Sequence, residues 1–257
     1  MQLEIWNLTF QYSDYPVLEE ISFQVGSGRL VGLVGPNGSG KSTLLQLISR
    51  SLAPTKGQVL LDGTPIEKIN RKELARMLSV VSQSETCAFD FTVAEVVQLG
   101  RLPYLGPFGK EKVNDGTHIQ KAMQDADVVH LAQRRIFELS GGEYQRVALA
   151  RTLAQATPIM LLDEPTSSLD VNYQIHVLQL LKRLTAAGRA VLISLHDLNL
   201  AAQFCDRLIM LHNSRIYAEG TPESVLTAET IQTVYGIQAT VAPHPVTGRP
   251  YVYPHYS

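Results

Sequence analysis

Short apolar runs separated by turn-forming clusters fill the first third of the chain. Residues 3–10, 21–25, 30–34 and 59–61 have the alternation or unbroken apolar character of strands. Ser13-Asp14, Gly26-Ser27-Gly28 and Asp62-Gly63 punctuate them as turns. Between Gly40 and Arg50 the period changes, and Leu44, Leu45, Leu47 and Ile48 fall on one helical face. A strand over 78–81 ends at Ser82-Gln83. From about 90 to 156 the chain loses strand alternation and predicts helices over 93–100, 117–130 and 141–155. The last third alternates strand and helix, over 159–162, 171–186, 191–194, 198–204 and 208–211. That rhythm predicts parallel strands joined by crossover helices. The pattern as a whole predicts an α/β core with a helical insert. Beyond Ala242, Pro243, Pro245, Gly248, Pro250 and Pro254 predict an extended terminal segment.

Composition narrows the class. With 45% hydrophobic and 18% charged residues, the 257-residue chain can bury a sizeable core. Twenty-two Lys and Arg against 24 Asp and Glu leave a net charge of −2, so no bulk electrostatic case exists for nucleic acid or anionic membrane. Two cysteines, Cys87 and Cys205, are too few for a disulfide framework; they fit a reducing compartment and read as inert thiols. The opening Met1-Gln-Leu-Glu-Ile-Trp-Asn lacks a basic region or a long apolar run, and no stretch approaches the roughly 18 apolar residues a membrane span needs. The chain reads as soluble by itself, so work at a membrane requires other chains.

Three strings carry candidate chemistry. Gly35-Pro36-Asn37-Gly38-Ser39-Gly40-Lys41-Ser42-Thr43 matches G-x-x-x-x-G-K-[ST] between a buried strand and an amphipathic helix. Its glycines let successive N–H groups face phosphate oxygens, and the following helix adds its positive end. Lys41 is then placed to neutralise the β- and γ-phosphates, Ser42 to bind Mg²⁺, and Thr43 follows in the cradle, so the chain is expected to bind a nucleoside triphosphate. The second string, Ile159-Met160-Leu161-Leu162-Asp163-Glu164, is a buried strand that delivers two acids at its carboxyl end. Asp163 is suited to hold Mg²⁺ and Glu164 to polarise the attacking water; alone, the pair also reads as solvated charges opening a loop. Leu139-Ser140-Gly141-Gly142-Glu143-Tyr144-Gln145-Arg146 forms a second anion cradle at a helix start, or simply a capped helix. One nucleotide does not need two cradles on one chain, which points to a head-to-tail pair sharing each nucleotide.

These strings, in this order, resemble the ATP-binding cassette family over nearly the whole chain, from Leu3 to about Tyr235. The resemblance implies a P-loop core with a mixed sheet, an antiparallel β subdomain and an inserted α-helical subdomain. It implies a core over about 1–88 and 157–241, a helical subdomain over about 89–156 and a C-terminal tail over about 242–257. It implies that Tyr12 stacks on adenine, that Gly35–Thr43 is the Walker A loop, and that Gln83 is the Q-loop residue linking the Mg²⁺ site to the helical subdomain. Leu139–Gln145 corresponds to the signature motif, with Ser140, Gly141, Gly142 and Gln145 toward nucleotide. Asp163 and Glu164 correspond to Walker B and the catalytic glutamate, Asp170 in Ser168-Leu169-Asp170 to the D-loop, and His196 to the switch histidine. Where Ser168 stands the family often has alanine. Read alone, Tyr12 is also a half-buried strand aromatic, Gln83 a polar strand cap and His196 a strand-end histidine.

The string Phe89-Asp90-Phe91-Thr92-Val93-Ala94-Glu95 continues to Tyr104, with Thr92 and Glu95 spaced as a capping box. It is similar to importer ATPases for iron–siderophore, haem and vitamin B12 complexes, as is the 235–250 segment. The implied function is ATP hydrolysis, with ATP and Mg²⁺, coupled to uptake of a metal chelate, an iron–siderophore first, with haem and vitamin B12 as close rivals. The implied setting is the cytoplasmic face of the inner membrane, with a second copy of the chain, transmembrane permease subunits and, indirectly, a substrate-binding protein as partners and no nucleic acid. A soluble cassette ATPase, as in iron–sulfur cluster assembly, is the alternative. The 97 residues between Ser42 and Ser140 leave no room for a long coiled coil.

Overall fold

A computed structural model describes residues 1–13, 15–82, 89–106 and 115–255, so Asp14, Gln83 and Cys87 lie outside the described residues. The chain opens with β1 (Leu3–Tyr12), β2 (Tyr15–Val25) and β3 (Leu30–Val34), then α1 (Lys41–Ile48). β4 (Lys56–Leu61), β5 (Thr64–Pro65), α2 (Arg71–Met77) and β6 (Leu78–Val81) follow. The middle holds α3 (Val93–Leu99), α4 (Asp115–Asp125) and α5 (Gly141–Ala154). Then come β7 (Ile159–Leu162), α6 (Val171–Ala186), β8 (Ala190–Ser194), α7 (Leu198–Phe204), β9 (Arg207–His212) and β10 (Arg215–Gly220). The chain closes with α8 (Pro222–Val225), α9 (Ala228–Tyr235), β11 (Ala239–Pro243) and β12 (Pro250–Pro254).

Six strands form one sheet in the order β10-β9-β3-β8-β7-β6, parallel except for the antiparallel β9–β10 edge. A second, antiparallel sheet runs β2-β1-β4-β5. The architecture is therefore α/β: the parallel strands are those the rhythm of the last third predicts, and the mixed sheet is the one the family resemblance implies. β3 is buried at all five positions because it is covered on both faces. Val31 and Leu33 join α1 and the antiparallel sheet in one core, whereas Leu30 and Val34 join a second core with residues of α3 to α7.

The antiparallel sheet shows why strict alternation misleads. In β1 the buried positions are Leu3 and Ile5, then Leu8 and Phe10, a change of parity. A bulge at Asn7 (φ 45°) supplies the extra residue, and Ser22 Oγ accepts the Asn7 amide at 2.8 Å. β2 makes the same shift at Glu20 (φ 53°), between buried Leu18 and Ile21. Both bulges keep the apolar side chains inward.

The predicted Thr92–Glu95 capping box opens α3: the Thr92 amide donates to Glu95 at 2.7 Å, and the Glu95 amide donates to Thr92 Oγ1 at 3.3 Å. The Thr92 amide first, and then the Thr92 hydroxyl donating to the same carboxylate at 2.9 Å, hold the Glu95 carboxyl below its usual range. The predicted 117–130 helix instead ends at Asp125, because Asp127 adopts φ 52°. α2, β10, α8 and α9 add to the sequence reading. α9 carried a legible signal: Thr227 caps it, Ile231 and Val234 face the core, and Gly236 stops it at φ 70°.

The terminal segment differs from the expectation. Residues beyond Ala242 are not simply extended; β11 and β12 pair as an antiparallel hairpin from Ala239↔Pro254 to Pro243↔Pro250. Pro243, Pro250 and Pro254 occupy strand ends, where a missing N–H costs no inner ladder bond, and Pro245 lies in the turn. Val252 is buried and joins the core with Ala239.

Candidate functional site

β3 runs straight into the phosphate-loop string, and α1 leaves it. Gly35 has φ 147°, and a Cβ there would lie 2.3 Å from the Leu211 carbonyl oxygen, so the turn admits only glycine. Gly40 sits at φ 96° against Leu18 and starts α1 without a side-chain cap. The uncapped first turn leaves backbone N–H groups free to face an anion. Lys41 is buried and folds back to donate to the Gly35 and Pro36 carbonyls at 2.8 and 3.0 Å. Burial holds its ammonium below the usual lysine range, against the raising pull of Glu164 and then Asp163. Ser39 Oγ is buried without a hydrogen-bond partner among the described residues, as expected of a loop whose partner is a phosphate.

The two acids leave β7, two strands from β3 across β8. Asp163 is 6% exposed and accepts the Ser194 hydroxyl at 2.7 Å. The same Ser194 Oγ accepts the Glu164 amide at 2.8 Å. Glu164 adopts φ 48°, and its carboxylate meets His196 Nε2. Ser194 ends β8, so one hydroxyl aligns the acid pair and the histidine turn. The sequence reading missed Ser194; a polar residue at the carboxyl end of a strand otherwise buried and apolar was its signal.

Asn37, Gly38, Gly40, Lys41, Ser42, Thr43, Glu164, His196 and Val17 line one cavity of about 530 Å³. On the other side of Ser42, a smaller cavity of about 160 Å³ is lined by Asp163, Ser82 and Gln46 among others. One buried carboxylate beside hydroxyls is a hard-oxygen donor set. It fits Mg²⁺, which takes one or two carboxylates and fills its remaining positions from water and substrate phosphates.

The other sequence-predicted residues stand apart from these cavities. Ser140 caps α5 through a full capping box with Glu143: its amide donates at 2.7 Å, and its hydroxyl accepts the Glu143 amide at 3.3 Å. Neither Ser140, Gly141 nor Gly142 lines either cavity around the phosphate loop. Gly142 instead backs onto its own chain, where an added Cβ would lie 3.1 Å from the Ser168 carbonyl. Gln145 carries a buried amide nitrogen without a hydrogen-bond partner among the described residues. Asp170 caps α6 by accepting the Tyr173 amide at 3.0 Å. Tyr12 ends β1, half exposed and edge-on to Phe10 at 4.8 Å. Gln83 is outside the described residues. Cys205 is fully buried, which pushes its thiol up to about 12, in keeping with an inert thiol.

The family model for ABC transporters matches residues 18–167, more than half of the chain. The ferric enterobactin transport ATP-binding protein FepC of Escherichia coli (strain K12) is 41% identical, over 96% of this chain and 92% of its own. The hemin import ATP-binding protein HmuV of Pseudomonas entomophila (strain L48) is 43% identical, over 97% and 98%. The cobalamin import ATP-binding protein BtuD of Halobacterium salinarum (strain ATCC 29341 / DSM 671 / R1) is 41% identical over 96% of this chain, which spans 62% of that protein's length. A solved ABC transporter in an inward-facing conformation, described as metal-chelate type, superposes with TM-score 0.83 at 26% identity, covering 99% of this chain and 98% of that one. A dimeric bacterial ABC transporter cassette superposes with TM-score 0.77 at 29% identity, over 86% and 98%. The chain therefore belongs to the ABC transporter family and is one of its ATP-binding ATPases.

Proposed function

We propose that this chain is the ATP-hydrolysing subunit of an importer for a metal chelate, most specifically a ferric siderophore. The observation that carries the hydrolytic part is the meeting of Lys41, Ser42, Glu164 and His196 on one cavity at the carboxyl ends of neighbouring strands. The phosphate loop binds the ATP phosphates, with Lys41 leaving its carbonyl partners for the β- and γ-phosphates. Ser42, Asp163 and Gln83 would hold Mg²⁺, which when bound would supply positive charge beside the transferred phosphoryl group. Glu164 accepts the proton of the attacking water, and His196 orients the Glu164 carboxylate it touches. Tyr12 packs on adenine.

The signature turn serves a second copy of the chain. Ser140, Gly141, Gly142 and Gln145 close on the opposite subunit's nucleotide, with Asp170 at the seam, in a head-to-tail dimer. That none of them lines the two cavities at the phosphate loop of their own chain supports that arrangement. The helical subdomain spans about 89–156 between core segments 1–88 and 157–241. Its Phe89–Tyr104 stretch is the surface for permease subunits: Phe89 is 69% exposed beside Phe91, which packs into the core. Among the described residues no helix is long and apolar enough to cross a membrane, so the spans belong to those partners. A substrate-binding protein delivers the chelate on the far side, and this chain works on the cytoplasmic face. The names of the relatives, for ferric enterobactin, hemin and cobalamin, support the chelate class.

Deleting the gene and measuring uptake of labelled ferric siderophore, haem and cobalamin tests the assignment. Loss of siderophore uptake alone supports it. Loss of haem or cobalamin uptake instead reassigns the cargo within the class. Retention of all three, in cells without a redundant ATPase, overturns the importer reading and favours a soluble ATPase role.

A further inference from the structure

The hairpin at the chain's end makes a dense set of contacts with one short helix. α7 has seven residues, too few to be stable as an isolated helix, so its position is set by whatever holds its ends. At its start, Asp197 caps the Asn199 and Leu200 amides at 2.8 and 3.0 Å, one residue after His196. In its first turn, Asn199 reads β12 twice: its Nδ2 donates to the Val252 carbonyl at 3.2 Å, and its Oδ1 accepts the Val252 amide at 2.7 Å. At its other end, one nitrogen of Arg249 donates to the Ala202 and Cys205 carbonyls at 2.9 and 2.8 Å. Those are helix-end acceptors without an intrahelical partner, and the guanidinium charge complements the negative end of the helix. Thr247 and the Pro250 carbonyl engage Gln203 between them, at 2.5 and 3.4 Å.

The helix so held is seated on the strand that supplies the phosphate loop. Gly32 of β3 is in contact with Cys205, and a Cβ there would lie 2.8 Å from its Sγ. The helix that leads into the hairpin reaches the same loop: the Tyr235 hydroxyl meets the Gly35 amide, while burial pushes that hydroxyl up to about 12. The C-terminal unit thus touches the phosphate loop's first residue and clamps the helix that begins beside His196.

We propose that the C-terminal hairpin is a brace that sets His196 against Glu164 through α7, with Asn199 and Arg249 as its positioning residues. This rests on the reading of Glu164 and His196 as the hydrolytic pair. Neither brace residue lines the cavity; each acts through the backbone of α7. A rigid shift of so short a helix is passed directly to the residue before its cap.

The test is steady-state ATP hydrolysis by the full-length chain, with and without His196→Ala, together with hydrogen exchange of the α7 amides. Arg249→Met keeps the apolar stem and removes the nitrogen that makes both bonds. It should lower kcat by about 10- to 100-fold with KM for ATP unchanged, and speed exchange over 198–204. Because both bonds leave one nitrogen, Arg249→Lys should restore most of the rate. Asn199→Ala should act in the same direction, and Val246→Ser, at the exposed hairpin tip, should change neither readout. In the His196→Ala background, Arg249→Met should cause no further loss. An equal loss in both backgrounds, or faster α7 exchange with kcat retained, overturns the brace while leaving the hydrolytic pair intact. An unchanged rate in His196→Ala alone overturns the pair, and the brace with it. Should Arg249→Met fail to fold, Asn199→Ala decides by the same comparison.

Discussion

The Ser194 hydroxyl donates a 2.7 Å hydrogen bond to the buried Asp163 carboxylate. It also accepts the amide of Glu164, so β8 and β7 are joined at the point where the acids leave the sheet. A hydrogen bond to a charged group is worth about 1.5–3 kcal/mol. Ser194→Ala removes it and leaves the Glu164 amide without its acceptor. Thermal melting should show a loss of stability of that size, at about 2–4 °C for each kcal/mol in a chain this long. Hydrolysis should fall as well, because the Glu164 carboxylate loses its fixed backbone. A variant with the parent melting temperature and rate removes Ser194 from the site.

Glu164→Gln separates binding from hydrolysis. Amide and carboxylate are nearly isosteric, so ATP should still bind through Lys41, Ser42 and Asp163, while loss of the proton acceptor slows turnover by about 10²- to 10⁴-fold. ATP should then accumulate between closed subunits and raise the dimer fraction in sedimentation. Hydrolysis at the parent rate would rule out Glu164 as the base.

Mixing Lys41→Ala chains with Ser140→Arg chains tests the shared sites. Each homodimer is dead at both sites, whereas the mixed dimer holds one site with neither lesion. Activity recovered on mixing, rising with the concentration of the second chain, supports the opposed pair. Absence of complementation when mixed dimers demonstrably form counts against it.

The lowered pKa of Lys41 makes nucleotide affinity depend on alkaline pH. Burial releases its proton at a lower pH than for a free lysine, and phosphate charge favours putting it back. Binding above the folded-state pKa is therefore linked to proton uptake, and affinity should decline as pH rises through it. Calorimetry in buffers of different ionisation enthalpy measures the proton directly. Release of a proton on binding in that range would reverse the sign and exclude Lys41 as the linked group. In the protein alone the same shift means that burying the charged ammonium costs stability below the folded-state pKa. That cost is relieved as pH climbs toward 10.5.

The strands and helices of the last third were legible because burial on both faces writes unbroken apolar runs, and crossover helices write a 3.6-residue period between them. α6 and α7 fall on their predicted residues. The phosphate loop was legible for a sharper reason: its glycines answer steric demands within a few residues of one another. Even the bulge in β1 left a trace, in the switch of parity between Ile5 and Leu8.

What the residues by themselves determined is whatever rests on neighbours close along the chain: the glycine turn, the Thr92 and Ser140 caps, the acids at a strand end. What only the tertiary structure decided depends on partners far apart in sequence. Ser194 meets Asp163 across 31 positions, and no local pattern distinguishes it from a serine ending a strand. The proline-rich end reads as extended because proline bars helix, and extended it is. Its pairing into a hairpin and its grip on α7 come from Asn199 meeting Val252 across 53 positions. Backbone sterics and side-chain period act over a turn or a strand, whereas burial and unsatisfied helix ends find their partners only once the sheet has brought distant segments together.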